Sequence, residues 1–192
     1  MAETKNDGES KRDGTSIKLF FVVLGAIVAY QLSGWMRGEA EWRTYTSETG
    51  QFVVEVAGSV DQRTLQERLV QNEIEFEYLM FARGNVQYAI AYGEVANAEP
   101  TDGLLQAAVA SMAEKVQGEI SAQHSDTLAS VPALRAQIRA ADDSELHIRC
   151  LWHAGRLYRL MAGGETDEEG NRVDIEHFFS SFRPTSVDQS KL

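Results

Sequence analysis

His147, Cys150 and His153, in the segment HIRCLWH, carry side chains that could bind a metal ion. Imidazole and thiolate groups are common ligands of zinc, at bond lengths of about 2 Å. In a strand, however, His147 and His153 would lie about 20 Å apart on one face, and Cys150 would point to the opposite face. One ion cannot contact all three residues, so we predict no metal site and interpret Cys150 as a buried core thiol.

The acidic segment ETDEEGNRVDIE has the spacing of a calcium-binding loop. Acids fall at its first, third, fifth and twelfth places and a glycine at the sixth, namely Glu165, Asp167, Glu169, Glu176 and Gly170. The first place usually holds Asp, and Arg172 stands where an apolar residue is typical. We therefore expect these acids to solvate a loop and to favour the N-terminus of the helix that follows.

Four side chains in the segment SAQHSD are of the types used in nucleophilic catalysis: Ser121, His124, Ser125 and Asp126. A catalytic triad requires each group to be oriented in space by the next, and closeness in sequence does not supply that orientation. The chain has no G-x-S-x-G motif and no glycine-rich phosphate loop. We interpret the segment as a polar connector that follows a helix.

Three carboxylates, Glu73, Glu75 and Glu77, alternate with apolar residues in the segment NEIEFEY. On one face of a strand, neighbouring carboxylates would lie about 6–7 Å apart, a spacing compatible with acid–base catalysis. An unbroken alternation of acids is nevertheless typical of a solvent-exposed strand face. The sequence thus predicts no catalytic, cofactor-binding or metal-binding residue, and we expect a protein that is not an enzyme.

Several segments show the alternation of apolar residues that predicts strands with one buried face. They are QFVVEVAG, NEIEFEYLMFARGNVQYAIAYGEV, the stretch from Leu134 to Ala140, and ELHIRCLWHAGRLYRLMAGG. Gly84-Asn85 is predicted to form a type II′ turn within the second segment, and Ala154-Gly155 to turn the last one. These patterns predict antiparallel hairpins.

Two segments have the apolar spacing of helices. The first follows Pro100 and has Leu105, Val109, Met112 and Val116 in its apolar stripe. The second ends before Pro184 and has Ile175, Phe178, Phe179 and Phe182 in its stripe. The order strands, helix, strands, helix predicts an α+β fold in which two helices pack on an antiparallel sheet.

The charge of the chain narrows the range of partners. Its 192 residues carry a formal net charge of −11, whereas binding to a nucleic-acid duplex needs Lys and Arg clustered on one face. We therefore expect no nucleic-acid partner, and no motif specifies a small-molecule ligand. The single cysteine, Cys150, excludes an intrachain disulfide.

The segment KLFFVVLGAIVAYQLSGWM contains 18 residues without a charge, between Lys18 and Arg37. A helix of that length rises about 27 Å, enough to cross most of a bilayer core of about 30 Å. We predict a transmembrane anchor over residues 17–36, after a disordered polar leader (1–16) and before a linker (37–41). A signal peptide removed on export is the alternative. Its candidate cleavage site AIVAYQLSG has bulky residues at positions that need small ones, and the candidate RGEAE is a weak match that lies beyond a charge.

Basic residues beside the predicted anchor indicate its topology. Lys11, Arg12 and Lys18 precede its uncharged run, and Arg37 and Arg43 follow it. Because basic residues favour the cytoplasmic side, we expect a cytoplasmic N-terminus and an extracytoplasmic domain, with the opposite topology as the alternative.

Three segments, YTSETGQFVVEVAG, GRLYRL and FFSSF, resemble the PsbP-like family of α/β/α sandwich domains, relatives of an extrinsic photosystem subunit. The resemblance covers residues 42–184 and leaves 185–192 as a flexible tail. Its motifs concern packing and turns, so it implies no catalytic or binding residue. It implies a noncatalytic accessory or interaction domain at a membrane surface and gives no ground for a photosynthetic role.

We therefore expect a single-pass membrane protein whose domain binds a partner, another envelope protein. One alternative is a membrane-anchored enzyme of the hydrolase class, which would need a histidine such as His124 or His177 beside the acidic loop. The other is an assembly factor that acts through its transmembrane helix.

Overall fold

The computed structural model describes most of the chain that follows the predicted anchor. The described residues are 40–69, 72–95, 102–140, 144–164 and 169–185. The predicted leader and anchor, most of the linker and nearly all of the predicted tail lie outside these ranges. Within them, no helix is both long and apolar enough to cross a membrane.

Ten strands and two helices make up the described part of the chain. In chain order they are β1 (Trp42–Ser47), β2 (Phe52–Ala57), β3 (Asp61–Leu69), β4 (Asn72–Arg83), β5 (Val86–Glu94), α1 (Asp102–Lys115), β6 (Glu119–Leu128), β7 (Val131–Arg139), β8 (Glu145–His153), β9 (Arg156–Gly164), α2 (Glu169–Ser181) and β10 (Arg183–Pro184).

Seven of these strands form one antiparallel sheet, in the order β3-β4-β5-β9-β8-β7-β6. The other three form a small antiparallel sheet with β2 in the middle, between β1 and β10. Alternate residues on each strand of the large sheet point to opposite sides. We call these sides the α1 face and the α2 face, after the helix on each.

The two helices lie on opposite faces of the large sheet. Helix α1 packs across β7 and β8 and buries Val109 and Met112. Helix α2 packs beside β2, and its Phe178 ring meets that of Tyr88 on β5 edge-on, with centroids 5.1 Å apart. The predicted α+β fold, with two helices packed on an antiparallel sheet, is confirmed.

The hairpin predictions are confirmed at both glycine-containing turns. Gly84 joins β4 to β5 with φ of +56°, and Ala154 and Gly155 join β8 to β9 with φ of +49° and +83°. A glycine has no Cβ to clash in this left-handed region, which is why it is favoured there. These two turns fix the register of the central strands.

Aromatic side chains form the core between the α2 face and the small sheet. Phe52, Phe178, Phe179 and Phe182 are almost completely buried there. The apolar stripe predicted near the C-terminus is confirmed as buried: it consists of Ile175, Phe178, Phe179 and Phe182. Burial of one such ring stabilises the fold by roughly 1.5–3 kcal/mol.

Two predictions of local structure are wrong. The segment around Ser121–Asp126 is strand β6 rather than a connector. In α1, Leu104 and Ala108 are buried, whereas Leu105 is partly exposed and Val116 follows the end of the helix. Strand β6 lies at the edge of the sheet and has little apolar surface to bury, so apolar alternation could not identify it.

Candidate functional site

The α2 face of β6, β7 and β8 carries a row of basic side chains. His124 of β6 pairs with Arg135 of β7, and Arg135 pairs with Arg149 of β8. Directly paired residues of antiparallel strands project from the same side of the sheet. These three side chains therefore lie side by side, with His147 in the next row. We call His124, Arg135, His147 and Arg149 the arginine face.

Glu176 of helix α2 lies between the two guanidinium groups of this face. Arg135 Nη2 donates to Glu176 Oε1 at 2.6 Å, and Arg149 Nη2 donates to Glu176 Oε2 at 2.6 Å. Two like charges on directly opposed strand positions destabilise a sheet unless an anion neutralises them. The arrangement therefore depends on a carboxylate between Arg135 and Arg149, and Glu176 supplies it.

The position of Arg149 is fixed more tightly than that of its partners. Its side chain is 9% exposed, against 32% for Arg135 and 48% for Glu176. The Arg149 guanidinium lies 4.7 Å from the centroid of the Phe179 ring, in a cation–π contact. Its Nε lies 3.4 Å from Asp126 Oδ2 without forming a hydrogen bond. Arg149 is thus held by its contact with the Phe179 ring, whereas the side chain of its partner Glu176 is about half exposed.

His147 borders the arginine pair and is mostly neutral near pH 7. Burial lowers the pKa of His147 below its ordinary value of 6.5, despite the opposing effect of Glu145. Its Nδ1 lies 3.4 Å from Gln137 Nε2, and its Nε2 lies 3.8 Å from Glu145 Oε2. A neutral imidazole adds a hydrogen-bonding group to the face without adding charge.

The chemistry available to the arginine face is anion recognition. Two guanidinium groups that each donate to one oxygen of a carboxylate form charge-assisted hydrogen bonds, which are stronger than neutral ones. Among the described residues, no hydroxyl or thiol is hydrogen-bonded to a histidine of this face.

The four residues of the SAQHSD segment do not form a triad. His124 and Asp126 both project from the α2 face of β6, and Ser125 between them projects from the α1 face. The Ser121 hydroxyl donates to the carbonyl of Gln137 at 3.2 Å. Asp126 lies beside Arg149 rather than beside His124, so no base is oriented towards a nucleophile.

His177 lies in a cleft between the small sheet and the end of α2. His177 Nε2 contacts Glu55 Oε2, and its ring lies 4.8 Å from the Trp42 ring, centroid to centroid. The cleft has a volume of about 290 Å³ and is also lined by Ser180 and Ser181. The Ser180 and Ser181 hydroxyls donate to the backbone carbonyls of His177 and Phe178, so neither donates to the His177 imidazole.

A third charged group is enclosed beneath helix α1. Arg159 Nη2 donates to Glu67 Oε2 and to the Tyr78 hydroxyl, both at 2.8 Å, and Lys115 also pairs with Glu67. Burial opposes the charge of Glu67, but Arg159 and Lys115 outweigh it and lower the pKa of that carboxyl. The Arg159 side chain is 0% exposed, so this cluster has a structural role.

The structure places the potential zinc ligands on opposite faces. Cys150 pairs with Arg159 and faces α1, whereas His147 pairs with Ala162 and faces α2. Cys150 is fully buried, which raises the pKa of its thiol to about 12. The interpretation of Cys150 as a core thiol is confirmed. Groups of three potential metal ligands do not occur within the described ranges.

The acidic candidates have separate partners. Glu73 pairs with Arg68, Glu75 accepts a hydrogen bond from Gln66, and Glu77 accepts one from Tyr92. The first four residues of the acidic segment, 165–168, lie outside the described residues, and its other eight residues belong to helix α2 rather than to a loop. The last acid of that segment, Glu176, is the residue that joins the arginine face.

Comparison with solved structures identifies the fold. The solution structure of cyanobacterial PsbP (CyanoP) from Synechocystis sp. PCC 6803 matches with a TM-score of 0.54 at 9% identity, over 78% of this chain and 95% of that chain. The domain has a PsbP-like fold. Protein PA94 of Pseudomonas aeruginosa gives a TM-score of 0.42 at 10% identity, over 77% of this chain and 99% of that one. No protein-family model and no curated protein sequence matches the chain.

Sequence reasoning missed the arginine face of this PsbP-like domain. The alternation of Arg135 and Gln137 with Leu134 and Ala136 was visible in the sequence and marked one polar strand face. Which residue lies beside Arg135 depends on the pairing of β7 with β8, and the loop between these strands contains no turn motif that sets their register. Glu176 is contributed by a helix far along the chain.

Proposed function

We propose that this chain is a single-pass membrane protein whose PsbP-like domain is a noncatalytic accessory module that binds another envelope protein through the arginine face. The apolar run of residues 17–36 supports the membrane anchor. The basic residues that precede it support an extracytoplasmic domain.

The observation that carries this proposal is the pair of guanidinium groups around one carboxylate. Arg135 and Arg149 lie opposite each other on adjacent strands. The carboxylate of Glu176 between them is half-exposed, so a partner can approach this position from solvent. Arginine is enriched at the energetically important positions of protein interfaces, where it can pair with carboxylates in a fixed geometry. A chain with a net charge of −11 that gathers arginines at one place has a surface suited to selective recognition.

Site-specific photo-crosslinking in native membranes tests the proposal. A photoreactive residue replaces Ala122, which lies on the α2 face of β6 in the same row as Gln137. The matched control is the same residue at Gln123, the next position of β6, which is exposed on the α1 face. We expect one defined protein adduct at position 122, lost in the Arg135→Gln variant, and no such adduct at position 123. Equal adducts at both positions, or none at position 122, would refute the binding role.

The membrane anchor needs its own measurement. We expect the full-length mass in the membrane fraction, resistant to extraction with salt and carbonate. A shortened soluble species would instead identify residues 17–36 as part of a removed signal peptide. The two outcomes differ in mass by several kilodaltons, so intact-mass spectrometry separates them.

A hydrolase is the second candidate, favoured by the contact of His177 with Glu55 in a cleft of about 290 Å³. A carboxylate can orient an imidazole so that it acts as a general base towards water. The test compares ester and peptide hydrolysis by the full chain and by the His177→Gln variant. Turnover that disappears in the variant would support an enzyme, and equal rates would exclude this cleft as the active site.

A further inference from the structure

We infer that Glu176 occupies the place of a partner carboxylate, and that an acidic side chain of the partner displaces it from between Arg135 and Arg149. This inference rests on the proposed function, because it specifies what the arginine face recognises. Glu176 then acts as an internal competitor that keeps the pair of guanidinium groups neutralised in the free protein.

The helix that carries Glu176 does not depend on this residue for its attachment. Ile175, Phe178 and Phe179 of α2 are buried, with 0–2% of each residue exposed. Glu176 lies at the edge of this buried stripe, next to Ile175, and its side chain is 48% exposed. Its carboxylate can therefore rotate into water while α2 stays packed on the sheet.

The Arg149 guanidinium keeps its other contacts when Glu176 leaves. Arg149 is nine-tenths buried, lies over the Phe179 ring and has Asp126 beside its Nε. Arg135 stands directly opposite Arg149 in the pairing of β7 with β8. Arg149 is thus preorganised to bind a carboxylate, and Arg135 on the adjacent strand can reach the same carboxylate. Preorganisation of this kind raises affinity.

The geometry and the overall charge favour an acidic protein segment over an anionic bilayer. The two Nη2 donors are 2.6 Å from the two oxygens of a single carboxylate, so they match one Asp or Glu side chain. A bilayer presents a plane of negative charge to the whole domain, which belongs to a chain with a net charge of −11. That repulsion acts over about 10 Å at moderate salt, whereas a single inserted carboxylate is recognised at contact distance.

The size of the effect follows from competition. If Glu176 occupies the position about nine-tenths of the time, the competent fraction is about one-tenth, and the apparent dissociation constant is about tenfold above its intrinsic value. Removal of the Glu176 charge should therefore tighten the binding of an acidic ligand about tenfold. Removal of an arginine from the same background should abolish that gain.

The experiment uses the full chain in nanodiscs and two blocked peptides, one of alternating Glu and Gly and one of alternating Gln and Gly. Fluorescence anisotropy gives the dissociation constants for the wild type, Glu176→Gln, Glu176→Gln with Arg135→Gln, and the matched control Glu169→Gln on the exposed start of α2. We expect about tenfold tighter binding of the acidic peptide by Glu176→Gln alone and no change with the Gln peptide. Unchanged or weaker binding by Glu176→Gln would overturn the inference.

Two further arms separate the possible sources of the anion. Inorganic phosphate and phosphatidylserine vesicles replace the peptide in the same comparison of wild type with Glu176→Gln. If either one gains as much affinity as the peptide, the inference that the ligand is an acidic protein segment is refuted. Carboxyl ¹³C shifts of Glu176 in the wild type, followed as peptide is added, test displacement without any variant. An unchanged Glu176 carboxyl shift at saturating peptide would contradict displacement. The proposed binding function would still stand in that case if photo-crosslinking gave an Arg135-dependent adduct at position 122.

Discussion

The charged cluster beneath helix α1 allows a sharp test of the packing on that face. Glu67 is 7% exposed and pairs with Arg159, which is 0% exposed, and with Lys115, which is 28% exposed. The Glu67→Gln variant preserves the size of the side chain and removes its charge. Arg159 would then be a buried cation without its counterion, and its polar contacts would be neutral ones, the Tyr78 hydroxyl and the amide of the introduced glutamine.

The expected cost of Glu67→Gln is about 3–5 kcal/mol, the range for leaving one member of a buried ion pair uncompensated. The Arg159→Met variant should cost less, about 1–2 kcal/mol, because Glu67 keeps Lys115 as a partner and the apolar side chain can occupy the space of the guanidinium stem. The double variant should be more stable than Glu67→Gln alone. The two substitutions are thus strongly coupled, as contacting residues generally are.

Urea denaturation of the full chain in detergent, followed by tryptophan fluorescence, measures these free energies of unfolding. A loss of 3–5 kcal/mol corresponds to a fall in melting temperature of about 10 °C or more for a domain of this size. The matched control is Glu73→Gln, whose pair with Arg68 is 75% exposed on both sides and should change stability by less than about 0.5 kcal/mol. Similar small effects of Glu67→Gln and Glu73→Gln would refute the enclosed ion cluster, and additive effects of Glu67→Gln and Arg159→Met would refute their coupling.

Three other predictions test separate parts of the domain. Phe179→Ala should cost about 3–5 kcal/mol in urea denaturation, because the ring is 1% exposed and lies under Arg149; a cost below about 1 kcal/mol would contradict its place in the core. His147→Gln should flatten the acid side of the stability profile. Since burial lowers the pKa of His147 below 6.5, the unfolded chain binds the proton more readily, and stability is lost as the pH falls through and below that value. Equal losses in wild type and variant between about pH 7.5 and 5.5 would show that His147 does not titrate differently on folding. Gly93→Ala should destabilise by about 1–3 kcal/mol, because the added Cβ would lie 2.6 Å from the carbonyl oxygen of Glu75; an unchanged melting temperature would mean that β4 can shift.

The sequence was a good guide where apolar alternation and glycine-containing turns agreed. The hairpin of β4 and β5 was predictable because Ile74, Phe76 and Tyr78 alternate with acids before the turn at Gly84. The last helix was predictable for a similar reason, since its phenylalanines repeat at helical spacing. Both patterns report a single buried face, which is the feature that local sequence encodes most directly.

Strand β6 shows why the rest could not be predicted. It is an edge strand with exposed polar side chains, and its turn to β7 is formed by Ala129 and Ser130, with φ of +49° and +67°. Asn and Gly are the residues that favour such positive φ angles, and neither is present at this turn. Without apolar alternation or a turn motif, the segment had the composition of a connector. The contribution of His124 to the arginine face was missed with it, because His124 belongs to β6.

The two buried arginines on opposite faces of the sheet differ in one property that bears on function, which is access to their counterions. Arg159 is paired with Glu67, and both side chains are at most 7% exposed, so an outside carboxylate could reach it only if helix α1 moved away. Arg149 is almost as deeply buried, but its counterion Glu176 is 48% exposed. Exchange of that counterion requires one side-chain rotation, and desolvation of the incoming carboxylate is offset by contacts that already exist in the free protein. For this reason we expect a partner carboxylate to replace Glu176 beside Arg149. The more deeply buried ion cluster around Arg159 does not allow such an exchange.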